Sequence, residues 1–415
     1  MESDRGNASS GWVIVVVATI SLVVSNGLAI GGLPPFYKPI REEFVRIGAV
    51  DASHAESFIA NCANITFLMS GIFSLIGGWL ITKFRLKPLM LVGCALLGSG
   101  LLLHSQAESA QAVFVARFLM GASLGFIGVA PCVVLVSNWF DTGRGTALGI
   151  VLTGTRLGGF FIPLVAAPMI ANYGWRTAML AISALVWLLL LPAIILLVRE
   201  NPLGPSPLNA ILAATETDGI TLAEAIRAPL FWVFGLCAAL VFYPIFVTSQ
   251  QFILYLQTPK IGASLWMASL AQSGFFAFSV IGKFVAGYLS DKLKTVTVMS
   301  ICAFVMFSAT LVLFDLSSNT ALLFLLPFAL GYGGTFVLLQ RLAADFFGRR
   351  EIGKILGLIT LIEVTGAAIG GRITGYLADQ NGGDYSYAFY GVTVAAGLAF
   401  ATTFSIYPLR KKEVV

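Results

Sequence analysis

Lys283 and Glu363 are the residues whose chemistry the rest of the sequence must accommodate, because each lies inside a long apolar run. A charge at the centre of a bilayer costs at least ~2.5–3.5 kcal/mol on the mildest scale, so such a group is paired, lines a watery cavity, or both. Lys283 stands two helical turns before Asp291, and an ammonium group there could hold a carboxylate through one point contact. The plain alternative is a lysine held by a structural partner. Glu363 could carry a proton, or it could serve as a structural ion-pair partner of Lys283; the two readings are compatible. Arg156, next to Thr155, could be a second anion contact or a partner of Glu363. It could equally pack against carbonyls at a helix crossing.

Uncharged polar residues fall near the same depth. Asn26, Asn64, Tyr243, Tyr332 and Ser279 could hydrogen-bond a carboxylate or hydroxyl, or could simply join helix to helix. Ser279 precedes Lys283 by four residues, which puts both on one helix face. Its hydroxyl could also bond its own helix's carbonyls. Gly331, Gly333 and Gly334 around Tyr332 suit either a gating hinge or a small-residue interface. Arg117 lies toward the outer face and reads as structural. Arg341 and Arg372 sit toward helix ends, where they can snorkel, and His104 reads as interfacial. Cys62, Cys94, Cys132, Cys237 and Cys302 show no metal-like spacing and read as small buried residues.

Such residues need membrane-spanning helices to position them, and the composition provides them. Of 415 residues, 58% are hydrophobic and 11% charged, a balance that needs lipid as solvent and makes the net charge of +5 no nucleic-acid signal. Runs of about 20 apolar residues give twelve spans: 11–34, 57–80, 89–107, 111–138, 146–170, 175–198, 229–254, 264–289, 296–315, 319–344, 354–378 and 386–408. The first run lacks a small-residue cleavage site and reads as a retained span, closed at the outer surface by Pro34-Pro35. With the N-terminus inside, fifteen Lys and Arg fall on cytoplasmic segments and five on outer loops. This orients both termini toward the cytoplasm in a cell (inner) membrane. The expected fold is all-α: an N-terminal six-helix bundle (1–198), a cytoplasmic linker (199–228) and a C-terminal six-helix bundle (229–415). No nucleotide loop, His/Cys cluster or Gly-x-Ser-x-Gly is present, so an enzyme is not expected, nor a cofactor or metal. The expected partners are the bilayer and a small solute, and the expected state is a monomer.

The halves echo each other. Gly78-Trp79-Leu80-Ile81-Thr82-Lys83 follows the second span and Gly287-Tyr288-Leu289-Ser290-Asp291-Lys292 the eighth; Ala147-Leu148-Gly149 matches Ile355-Leu356-Gly357. Such repeats suggest two related bundles with a site between them. On these residues the chain resembles the major facilitator superfamily over nearly its whole length. The loop with Gly287, Asp291 and Lys292 looks like that family's G-x-x-x-D-[RK] gating motif, while the first half carries Thr82 at the acidic position, which weakens the contact there. Arg117-Phe118-Leu119-Met120-Gly121 looks like its fourth-span motif. Trp139-Phe140-Asp141-Thr142-Gly143-Arg144-Gly145-Thr146-Ala147-Leu148-Gly149, Gly174-Trp175-Arg176 and Phe346-Phe347-Gly348-Arg349-Arg350 are similar to signatures of monocarboxylate transporters and oxalate/formate antiporters. The animal first-span signature is not recognisable in Ser25-Asn26-Gly27-Leu28-Ala29, which argues for a bacterial-type relative.

The resemblance implies alternating-access transport of small carboxylates, often proton-coupled. It sets Lys283 where related transporters carry a substrate-binding arginine, and Glu363 where the antiporter carries a lysine. One cation and one acid suit a monoanion. In the empty site the two should neutralise each other; a bound carboxylate should take over Lys283 and leave Glu363 to pick up a proton. That sequence describes proton/monocarboxylate symport. Anion exchange, lipophilic-compound export and a non-transporting sensor are the alternatives.

Overall fold

A computed structural model describes residues 2–81, 83–140, 144–199, 219–317, 320–348 and 350–413. The described chain is helical almost throughout. The helices are α1 (Glu2–Asn26), α2 (Pro34–Arg46), α3 (Ala55–Ile81), α4 (Leu86–Ser105), α5 (Ala110–Ile127), α6 (Val129–Ser137), α7 (Arg144–Ala184) and α8 (Leu191–Leu197). After these come α9 (Leu222–Ala225), α10 (Pro229–Leu256), α11 (Leu265–Lys292), α12 (Thr295–Thr310), α13 (Ala321–Phe347), α14 (Ile352–Gln380) and α15 (Ser386–Glu413). Among the described residues, eleven helical stretches are long and apolar enough to cross a bilayer, and one of them, Gly145–Leu197, has 53 residues. A crossing takes about 20 residues, so that stretch holds two and the total is twelve.

Local chemistry sets the boundaries. Ser109 and Ser264 cap α5 and α11 by accepting from the Ala112 and Met267 amides, and Pro229 opens α10 where no amide donor is needed. Gly174 interrupts α7 at φ 79°, and Gly348 ends α13 at φ 74°. Both values lie in the region that glycine enters without a Cβ clash. The first span differs from its expected course. Helix α1 runs into a π-helical turn, Gly27–Gly31, and Pro34 and Pro35 then open α2 instead of closing the span. Proline fixes φ at a helical value and lacks only a donor that a first turn does not use, so it starts a helix as readily as it ends one.

The chain clusters into two compact units, Met1–Asp51 with Ile65–Ile211, and Ala52–Asn64 with Leu212–Val415. Thus α3 is divided: its first ten residues belong to the second unit, a grouping absent from the 1–198 and 229–415 division. Most of the 199–228 segment lies outside the described residues; the described part contains α9, opened by a Thr221/Glu224 capping box. In the first unit α1 packs on α7, and a Cβ on Gly158 would come within 2.2 Å of the Val23 carbonyl. In the second unit α11 packs on α13, and α10 on α14. All five cysteines are buried, and none forms a disulfide among the described residues.

Candidate functional site

Glycine lets α11 and α13 touch backbone to backbone. A Cβ on Gly282 would sit 2.1 Å from the Leu330 carbonyl, and one on Gly333 would sit 1.9 Å from the Ser279 carbonyl. This approach sets Lys283 beside Phe336, with Nζ 5.0 Å from the ring centroid. An ammonium over a ring face gains about 0.5–2 kcal/mol, according to how far it is desolvated. Lys283 is half-buried, so its head group is not sealed in the helix contact. Ser279 is fully buried and donates to the Phe276 carbonyl of its own helix. Tyr332 is buried and stacks on Phe275 at 5.3 Å and 13°. Gly331 faces Met306 and Cys302, and Gly334 faces Cys302 and Ala286. The glycine group thus serves as a small-residue interface.

Glu363 is carried by α14, whose Ile362, Gly366 and Gly370 meet Gly235, Ala239 and Tyr243 of α10. It is half-buried and makes no hydrogen bond or ion pair with a described residue. The expected mutual neutralisation of Lys283 and Glu363 is therefore absent here. The reason is positional: α11 has α13 as its main partner and α14 has α10. Tyr243 packs its ring on Gly370, with its hydroxyl near Gly391.

Asn64 is buried and donates to the Ala368 carbonyl, while its Oδ1 has no hydrogen-bond partner. Gln251 does likewise, donating to the Gly371 carbonyl and leaving Oε1 unpartnered. The hydroxyls of Ser269 and Ser273 in the same unit are also buried without a hydrogen-bond partner. Gln272 donates to the Ser249 carbonyl at 2.6 Å. Gln251 and Gln272 were not among the residues singled out from sequence, although the polar run Thr248-Ser249-Gln250-Gln251 inside an apolar span is visible there. Asp379 was also missed. Its carboxylate accepts from the Glu56 amide (2.8 Å) and the Ser57 amide (3.0 Å), capping α3 from the far end of α14. Tyr385 donates to Glu56 Oε2 at 2.7 Å.

In the second unit, the Gly287–Lys292 segment is tied to α13. Arg341 donates to Asp291 Oδ1 at 2.6 Å and to Ser290 Oγ at 2.7 Å. Lys292 lies over the Tyr288 ring, and a Cβ on Gly287 would meet open space. Arg372 also has a partner, Asn61 Oδ1 at 3.0 Å. In the first unit, a Cβ on Gly78 would again meet open space, and Lys83 lies over the Trp79 ring. Thr82, Asp141, Thr142, Gly143 and Arg349 lie outside the described residues, as does the side chain of Arg144.

Arg156 and Asn26 sit on the touching helices α7 and α1 of the first unit, both half-buried, and Asn26 donates to Ser25 Oγ. Toward the Arg46 end of α2, Glu43 accepts from Trp175 Nε1 and from two nitrogens of Arg176, whose third nitrogen donates to the Ser105 carbonyl. His104, expected at an interface, is fully buried instead, 6.2 Å from the Trp175 ring. Arg117 is buried under the Tyr37 ring.

The family described as the Major Facilitator Superfamily matches residues 18–268 and 252–414. An Aspergillus flavus protein named MFS transporter asaE is 27% identical over 345 residues, covering 81% of this chain and 75% of its own. Monocarboxylate transporter 13 of Bos taurus is 24% identical over 382 residues, covering 91% of this chain and 85% of its own. Among solved structures, an inward-facing, unoccupied bacterial homologue of the human lysosomal transporter Spinster superposes with TM-score 0.75 at 15% identity, covering 98% of each chain. That last likeness shows the fold alone.

Proposed function

The chain belongs to the major facilitator superfamily, and on that premise we propose that it carries small organic anions across a membrane, as a proton-coupled symporter of monocarboxylates working by alternating access. The observation that carries this reading is Lys283, a half-buried ammonium on a spanning helix, held beside an aromatic face by the glycine-mediated contact of α11 and α13. A monodentate cation suits one carboxylate and tolerates variation in its geometry. Similarity to monocarboxylate transporter 13 supports the substrate class.

Glu363 is the proposed proton carrier. It has no charged partner among the described residues, so taking up or releasing a proton changes the charge of its unit by one. A carboxylate arriving at Lys283 together with a proton on Glu363 leaves that charge unchanged, which makes reorientation of the loaded protein cheap. Arg156, Asn26, Asn64, Tyr243, Tyr332 and Ser279 are proposed to shape the path, with Asn64 the best placed because its Oδ1 is unsatisfied. Gly78, Gly287, Asp291, Lys292, Arg117 and Arg144 are proposed as gating and structural positions. The proposed orientation, from the Lys and Arg distribution, puts both termini in the cytoplasm.

Proteoliposomes carrying the full chain test this directly. Labelled short-chain monocarboxylates are expected to accumulate when the outside is acidic, and to stop accumulating with a protonophore or in the Lys283→Gln variant. Uptake that ignores the pH gradient but rises with an anion trapped inside would mean exchange. No uptake of any acid would overturn the reading.

A further inference from the structure

We propose that Arg117 forms the core of a buried binding site for a small monovalent anion inside the first unit, separate from Lys283. Arg117 is 1% exposed and is the bulkiest fully buried side chain of the described residues. Its Nε and Nη1 are sealed from solvent and have no hydrogen-bond partner. The recorded contact of the guanidinium is the Tyr37 ring, 5.3 Å from Cζ to the centroid.

The described acids nearby are committed elsewhere or face solvent. Glu43 is held by Trp175 and Arg176, Glu42 pairs with Lys38, and Glu108 is exposed. A guanidinium buried without a counter-charge costs several kcal/mol, more than packing alone repays. His104 makes the same demand from the next helix. It is 0% exposed, both ring nitrogens lack partners, and it lies within electrostatic range of Arg117. The helix register sets the two about one turn apart. A Cβ on Gly100 would meet Ala116, Leu119 and Met120, and one on Gly93 would meet Phe126 and Ile127, so α4 and α5 run antiparallel. His104 thus stands opposite the turn of α5 just before Arg117, the direction in which a helical side chain leans. A neutral imidazole keeps one N–H donor and a guanidinium has five. A donor-rich enclosure with one fixed positive charge fits a guest that only accepts hydrogen bonds and carries a single negative charge. A guest of the size of a halide or formate asks least of a close-packed interior.

The test uses the purified full-length protein in detergent, melted in sodium chloride or sodium formate against sodium isethionate at constant ionic strength. A site occupied in the folded state raises the melting temperature with ligand concentration and saturates. The wild type is expected to gain several degrees in chloride and in formate. Arg117→Gln is expected to lose both gains, and His104→Gln to need a several-fold higher anion concentration for the same gain. Lys283→Gln is expected to keep the chloride response. A wild type that melts at the same temperature in all three salts overturns the proposal, whether or not the variants fold. So does a gain that persists in Arg117→Gln, or one that vanishes only in Lys283→Gln, which would assign the anion to the transport site.

Discussion

A single proton on a single carboxyl decides how the transport cycle is driven. Glu363→Gln keeps the shape of the side chain but fixes it neutral, so the variant is expected to exchange labelled for unlabelled carboxylate at near the parental rate while losing accumulation against a gradient. Accumulation that survives in Glu363→Gln would move the coupling role to another group. At Lys283 the charge itself is at stake. A hydrogen bond to a charged group is worth about 1.5–3 kcal/mol, so Lys283→Gln is expected to weaken carboxylate binding roughly 10- to 100-fold, read as the concentration giving half-maximal uptake. Lys283→Arg is expected to retain transport with a narrower range of acids, because a planar fork demands bidentate geometry. Both charges were legible in the sequence, since a charge in an apolar run stands out by cost alone. Their failure to pair was not. Depth along a helix follows from counting residues, but which helix faces which follows from packing, and α11 and α14 take different partners.

Among the elements, close approach through glycine and capping at a distance carry most of the specificity. Gly333→Ala would push a methyl carbon against the Ser279 carbonyl, an atom of rigid backbone. Overpacking of this kind costs about 1–3 kcal/mol, and the displaced face of α11 is the one that bears Lys283. The variant is expected both to melt lower and to bind carboxylate more weakly, whereas Gly287→Ala, with open space around it, is expected to change neither. Asp379→Ala removes the acceptor for the Glu56 and Ser57 amides. Loss of an N-cap costs about 0.5–2 kcal/mol, so a lower melting temperature is expected, with Asp379→Asn intermediate because an amide oxygen still accepts. Spans and caps such as Ser109 were readable from local pattern. The Asp379 cap was not, because donor and acceptor lie more than 300 residues apart in sequence.

At the scale of the whole molecule, the segment leading into the second unit is fastened by a carboxylate whose charge can be removed by acid. Glu351 accepts from Lys354 and from the Leu222 amide, at 2.8 Å in the latter case, and these hydrogen bonds hold its carboxyl below the ordinary glutamate range. The antiparallel bridge between Gly219 and Gly348 lies beside this contact. A carboxyl lowered in the folded state contributes stability that is fully present above its unfolded value, about 4.3, and is lost as pH falls through the folded value. Glu351→Gln mimics the protonated form at every pH. The wild type is therefore expected to melt above Glu351→Gln at pH 7, with the gap closing as the pH drops below about 4. Cleavage of the native protein by trypsin after Arg227, just beyond α9, is expected to be faster in Glu351→Gln at pH 7, because the Leu222 contact is weakened. Equal cleavage rates in the two proteins would mean that residues 219–228 are held to the second unit by other contacts.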